Sequence, residues 1–198
     1  MSTDQRTLAL TVAYVGTDFH GFARQDSDVL TVQGVLEEAL SILFAQAVET
    51  VGAGRTDAGV HALGQVVSFS LPEGALDGRE LSGIKRSLNA LTPDSIVICD
   101  VQEKPMGFSA RFSALEREYR YRIVDLSTPP LFIAPYAWWL AGKGYLDLNL
   151  LRAGAQHLVG EHDFRSFCVA ASALDKNTVR EVKSINVFGV DHLGEHCV

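Results

Sequence analysis

The stretch Gly54-Arg55-Thr56-Asp57-Ala58-Gly59-Val60-His61-Ala62 sets a single carboxylate beside a guanidinium on a glycine-bracketed turn. Apolar runs flank it, Val48 to Ala53 before and Gln65 to Leu71 after, and both have the length and β-branched content of strands. Two strands joined by such a turn predict a sheet with Asp57 at a strand end, on a loop held by rigid flanks. Gly54 and Gly59 carry no Cβ, so the backbone there is free to turn sharply or to approach a ligand closely. Arg55 is placed for a charge-assisted pair with Asp57 that keeps the carboxylate ionised and oriented until a substrate competes for the guanidinium. An Asp in a Gly-rich turn is also the composition of an ordinary surface Asx-turn, and the string alone leaves both readings open.

Outward from this loop, Thr7 to Tyr14 alternates as a half-buried strand ending at Gly16. Thr31 to Gln46 has a helical pattern, with Thr31 as cap and Val32, Val35, Leu36, Leu40, Leu43 and Phe44 on one face. A second helix is predicted from Arg79 to Leu91, closed by Thr92-Pro93, followed by strands at Ile96 to Val101 and Ala114 to Val124. The order strand, helix, strand, strand, helix, strand is an α+β arrangement of the split βαβ kind, with helices on one face of a mainly antiparallel sheet. Leu126 to Pro135, with Pro129, Pro130 and Pro135, reads as a connector, giving an N-terminal half over 1–125 and a partial C-terminal half over 126–198. The second half resembles a looser copy, with an amphipathic helix at Asp147 to Leu158 and a strand at Glu181 to Val190. Phe188 to Val198 reads as a hairpin whose second strand has just begun, which predicts an unpaired edge unless a partner covers it.

With 198 residues, 47% hydrophobic and 21% charged, the composition is that of a globular protein with a substantial core. No apolar run is long enough to span a bilayer, and Met1 to Arg6 lacks the basic-then-apolar pattern of an export signal. Cys99, Cys168 and Cys197 are widely spaced and odd in number, which predicts neither a disulfide framework nor a zinc site and suits a reducing cytoplasm. His157, His162, His192 and His196 share no ligand spacing with Cys or carboxylates, so no metal is expected. A formal net charge of −7 excludes a surface that attracts nucleic acid all over. Any RNA contact must come from a local basic face, best met by Lys104 to Arg122 with Lys104, Arg111, Arg117, Arg120 and Arg122. If Ala114 to Val124 is a strand, Arg117, Tyr119 and Tyr121 share one face. That pattern is either a stacking platform for bases or a cross-strand aromatic pair with solvated arginines. His61 reads as a backbone-bonded loop histidine or a phosphate contact.

The Gly54 to Ala62 string resembles, nearly letter for letter, the signature of the tRNA pseudouridine synthase A family. Further blocks agree: Ala110-Arg111-Phe112-Ser113-Ala114 followed by Arg117, Tyr119 and Tyr121; Gly16 to Gln25 with Val32-Gln33; and, more weakly, Asn177 to Val182. Val15 stands where the family commonly has Asp, and Phe22 where it often has Trp. The resemblance runs from about Thr7 to Val190 and implies a pseudouridine synthase fold of two similar halves. It also implies that Asp57 is the nucleophile isomerising uridine to pseudouridine on the 3′ side of the tRNA anticodon arm. Arg55, Tyr119 and Arg180 then support the active site, with Tyr121 in the core, while Arg24, Gln25, His61, Arg111 and Arg117 contact RNA. The implied partners are tRNA and a second copy in a homodimer, in the cytoplasm and with no cofactor. Family members continue past this end with a strand and a helix bearing a His-Met-Val-Arg-like motif, so the second half is expected to be truncated. Two alternatives remain at this stage: a non-catalytic tRNA-binding module, and phosphoryl transfer through Asp57. The latter wants Mg²⁺ and further carboxylates, and Asp57 has only Glu49 near it in sequence.

Overall fold

In a computed structural model that describes residues 5–26, 28–76, 78–141, 145–168, 177–190 and 195–197, the chain divides into two units, Met1–Arg117 and Glu118–Val198. The division falls ahead of the 125/126 boundary expected from the prolines. The strand that follows it pairs within the second unit and not with the first sheet.

The first unit runs β1 (Gln5–Tyr14), α1 (Val32–Phe44), β2 (Val51–Gly52), β3 (Ala62–Pro72), α2 (Leu81–Leu91) and β4 (Ile96–Lys104). Its sheet has the order β2-β3-β1-β4 with every neighbour antiparallel, as the split βαβ reading requires. The two-residue period puts Leu8, Leu10, Val12 and Tyr14 of β1 on one face, beside Val67, Phe69 and Leu71 of β3 and Ile96 and Ile98 of β4. Val32, Leu36, Ala39 and Leu40 of α1 and Ile84 and Leu88 of α2 close over that face to form one buried cluster. Thr31, in extended conformation, caps α1 by accepting a hydrogen bond from the Gly34 amide at 3.2 Å. The helix stops before Gln46 because Ala45 takes a left-handed φ of 52°.

Two irregularities shape the loop ends of this sheet. Pairing of β1 with β3 slips between Val12 and Tyr14, where β3 carries an extra residue at Leu63-Gly64 and so bulges beside the loop that holds Asp57. The strand expected from Val48 to Ala53 shrinks to Val51–Gly52. The Thr50 amide donates to Glu37 Oε1 at 2.9 Å and the Thr50 carbonyl accepts from Gln33 Nε2 at 2.8 Å, so side chains of α1 replace ladder bonds there.

The second unit contains β5 (Arg122–Val124), β6 (Trp138–Trp139), α3 (Leu148–Gln156), β7 (Gly160–Asp163), β8 (Val179–Val182), β9 (Phe188–Val190) and β10 (Glu195–Cys197). One sheet has the order β6-β5-β10-β9, with β5 and β6 parallel, and β7 pairs with β8 separately. Three sequence expectations change here. Only Arg122–Val124 of the run Ala114 to Val124 is a strand, so the shared face of Arg117, Tyr119 and Tyr121 does not form, and Tyr121 is 69% exposed instead of lying in the core. The strand expected over Glu181 to Val190 is two strands in different sheets. The β7 partner begins at Gly160, whose φ of 108° turns the chain away opposite Val182. Phe188–Val190 and Glu195–Cys197 do form a hairpin, but β10 lies between β5 and β9 and is no unpaired edge. Residues 191–194, where the sequence predicts a turn, and Val198 lie outside the described residues. No described helix is long and apolar enough to cross a membrane.

Candidate active site

The loop from Ala53 to His61 joins β2 to β3, and the connection from Val15 to Thr31 joins β1 to α1. Backbone bonds sew the two together: the Phe22 amide donates to Thr56 O at 3.0 Å, and the Gly59 amide to Phe19 O at 3.2 Å. Phe19 and Phe22 bury their rings in the core, so the loop is tied to residues anchored in the buried cluster of the first unit. Gly59 adopts the φ of 78° that favours glycine, as its place in the string suggests. Gly16 answers a different need, since a Cβ there would stand 2.0 Å from the Val60 carbonyl oxygen. Two of the sequence blocks, Gly16 to Gln25 and Gly54 to Ala62, are thus brought into direct contact.

More fasteners come from side chains. The Tyr14 hydroxyl lies 2.8 Å from Thr56 Oγ1, and Gln65 Nε2 donates to Gly54 O at 2.7 Å. Burial pushes the Tyr14 phenol above its ordinary pKa, with hydrogen bonds to Thr56 and Gln65 pulling it partly back. His61 Nδ1 accepts the Gly16 amide at 3.0 Å, so the neutral ring carries its proton on Nε2. The Arg117 guanidinium donates through Nε to the Ala53 carbonyl at 3.2 Å and packs against Gly54. The segment 105–117 reaches that point by crossing the sheet, where the Ala110 amide donates to Ser68 Oγ at 2.9 Å.

Asp57 itself is exposed, and so is Arg55. No ion pair joins them among the described residues, so the expected pairing gives way to a carboxylate aimed by its backbone alone. Backbone tethers at Thr56 and Gly59 leave both side chains directed outward, each solvated independently.

The expected RNA contacts are placed as follows. Arg24 extends one guanidinium nitrogen to Glu37 Oε2 at 3.0 Å, while Glu37 Oε1 takes bonds from Thr50 and Gln33; Glu37 is buried. Sequence reasoning missed this hub, although a Gln and a Glu one turn apart beside an apolar stripe mark a polar pair facing inward. Gln25 donates to the His20 carbonyl at 2.8 Å. Both residues open onto a groove of about 600 Å³ whose walls also bear Asp26, Asp28, Glu38 and Glu49, a field that disfavours phosphate. Arg111 is exposed with its guanidinium 5.7 Å from the Phe112 ring centroid. In the second unit, Tyr119 is 67% exposed, and Arg180 lies in β8 opposite His162, donating to the neighbouring Val179 carbonyl at 2.6 Å. Among the described residues, no His, Cys, Asp and Glu group could hold a metal ion.

Comparison with known proteins places the chain among relatives by sequence. A family model described as tRNA pseudouridine synthase matches residues 10–113 and 155–197. The tRNA pseudouridine synthase A of Thermotoga neapolitana is 39% identical over 185 residues, which are 93% of this chain and 72% of that protein. The protein of the same name from Pseudothermotoga lettingae is 44% identical over 177 residues, 89% of this chain and 69% of the relative. That of Corynebacterium glutamicum is 43% identical over 186 residues, covering 89% and 62%. The matched span contains the whole of the sewn pair of loops, and the chain belongs to the tRNA pseudouridine synthase family, a family of isomerases.

Proposed function

We propose that this chain isomerises uridine to pseudouridine in tRNA with Asp57 as the nucleophile, acting on the 3′ side of the anticodon arm, in the cytoplasm and as a homodimer. Family membership together with a carboxylate held outward on a doubly fastened loop carries this reading. The reaction breaks the bond from C1′ to N1, turns the base and forms a bond from C1′ to C5. The hydrogen at C5 leaves to water and N1 gains one, so atoms balance without a co-reactant. A carboxylate serves this sequence by attacking the sugar, by attacking the base or by removing a sugar proton, and an oriented, ionised Asp is the requirement common to all three.

The exposure of Asp57 fits a site completed by its substrate. A base everted from an RNA helix brings its own apolar faces, at an unstacking cost of a few kcal/mol, and displaces water from the carboxylate as it lands. Arg55, exposed on the same loop, is available to fill the vacated stack or bind the flanking phosphate. Tyr119 as the stacking ring, Arg180 as active-site support and Arg111 as a phosphate contact follow from the resemblance. For Arg24, His61 and Arg117, the intramolecular bonds described above support a role in shaping the RNA-facing loops alongside contact with RNA. The reading of the second unit as a divergent counterpart of the first belongs to the same proposal.

The test is release of tritium from tRNA labelled at uridine C5. The wild-type chain is expected to release it, and Asp57→Asn to lose turnover while binding tRNA with affinity within about threefold of wild type, because only the nucleophile is removed. Wild-type turnover by the variant, or tRNA binding with no release by the intact chain, overturns the proposal.

A further inference from the structure

Tyr14 closes β1 at 4% exposure, with its ring 6.2 Å from that of Phe22. A phenylalanine would fill this place as well, and burying a hydroxyl is unfavourable unless its bonds are made. They are made to one target, the loop that carries Asp57. The Tyr14 oxygen meets Thr56 Oγ1, on the residue immediately before Asp57. Gln65, one β3 residue past the bulge, sends Nε2 to the Gly54 carbonyl of the same loop at 2.7 Å. The two contacts straddle Arg55 and connect the loop to both central strands of the sheet.

We infer that Tyr14 and Gln65 are positioning residues for the reaction: two part-buried contacts, one from the Tyr14 hydroxyl and one from the Gln65 amide, fix the backbone from Gly54 to Thr56 and so set the aim of the Asp57 carboxylate. Neither side chain touches substrate; each acts through Thr56 or Gly54. The inference rests on the assignment of Asp57 as nucleophile. An exposed carboxylate with no ion-pair partner among the described residues has no side-chain device of its own to orient it, so its direction is inherited from the main chain. Misplacement of a reacting group by about 1 Å is enough to cost on the order of a hundredfold in rate. Burial raises the pKa of the phenol, which therefore keeps its proton at neutral pH.

Tyr14→Phe and Thr56→Val each remove the central hydroxyl contact and keep shape. Each is expected to lower kcat for tRNA by about tenfold or more with KM within about twofold, and the double variant to be no slower than the slower single, since both remove one bond. Amide hydrogen exchange in the peptide 53–62 should quicken in both, a readout independent of turnover. A kcat within about twofold of wild type, or unchanged exchange in that peptide, overturns the inference. If Tyr14→Phe fails to fold, Thr56→Val, altered only on the loop, decides alone. Asp57→Asn run in parallel separates the two readings. Wild-type turnover in that variant removes the nucleophile assignment, whereas a dead Asp57→Asn beside fully active Tyr14→Phe and Thr56→Val removes the positioning role and leaves the nucleophile.

Discussion

The two units keep their loops in place by opposite means. In the first, Leu8, Leu10, Leu36, Leu40 and Ile98 are fully buried in one cluster, and the functional loop is tied to residues whose side chains belong to it. In the second, α3 buries no residue, and Leu131, Phe132 and Tyr145 are 80%, 82% and 90% exposed. Among its described residues, carboxylates on backbone amides recur beside a smaller buried set that includes Val124 and Val187. Asp125 accepts the Leu146 amide at 2.9 Å, Asp147 caps α3 through the Asn149 and Leu150 amides, and Asp163 takes the Arg165 amide and the Thr178 hydroxyl. Apolar burial is worth roughly 1.5–3 kcal/mol per large side chain and is indifferent to pH. A carboxylate's hydrogen bonds weaken as the acid takes up its proton, so their contribution depends on pH.

That contrast can be broken most directly in the core. Leu36→Ala, at 0% exposure, should cost about 2–5 kcal/mol in urea unfolding, whereas Leu131→Ala, at 80%, should stay within about 0.5 kcal/mol. Equal losses would mean that the units do not differ as described. A smaller effect is expected from Gly16→Ala, whose new methyl must push the Val60 carbonyl aside. The cost should be roughly 1–3 kcal/mol, with faster hydrogen exchange in 53–62 and none gained in β7 or β8. Smallest is the effect of acid. The Thr178 hydroxyl, and then the Arg165 amide, hold the Asp163 carboxyl below its ordinary value of 3.8. A depressed acid contributes stability above its unfolded pKa and loses it as pH falls through the folded one. Exchange in β7 and β8 should therefore rise below about pH 4, and Asp163→Asn should abolish that dependence.

The first unit was largely legible because its elements are amphipathic and locally signalled. Thr31 before a 3.6-residue stripe gave the start of α1, and alternation gave β1 and β4. What escaped was long-range. Nothing local to Val48–Thr50 reveals that Glu37 and Gln33 take its backbone groups, and nothing local to Ala114–Tyr121 reveals that Arg117 spends its guanidinium on Ala53. Both segments have strand propensity; the first gives its ladder groups to the side chains of Gln33 and Glu37, and the second sends the Arg117 side chain to a distant carbonyl. For the site, the string around Asp57 named the loop, while the pairing with Arg55 failed because sequence proximity says nothing of where two side chains on a turn point. In the sequence Tyr14 and Gln65 are strand residues like their neighbours, and only the contacts of their hydroxyl and amide termini with the loop mark them out.

The sewing of the two loops through amides and carbonyls has a consequence for how this enzyme family can change. Main-chain bonds such as Phe22 to Thr56 and Gly59 to Phe19 do not depend on which side chains the residues carry, so the outward positions Asp18, His20, Ala58 and Val60 are free to be exchanged without loosening the seam. Length is another matter: inserting or deleting one residue in either loop puts every later stitch out of step with its partner. Side chains at this rim can drift by point mutation, while the count of residues between stitches is locked.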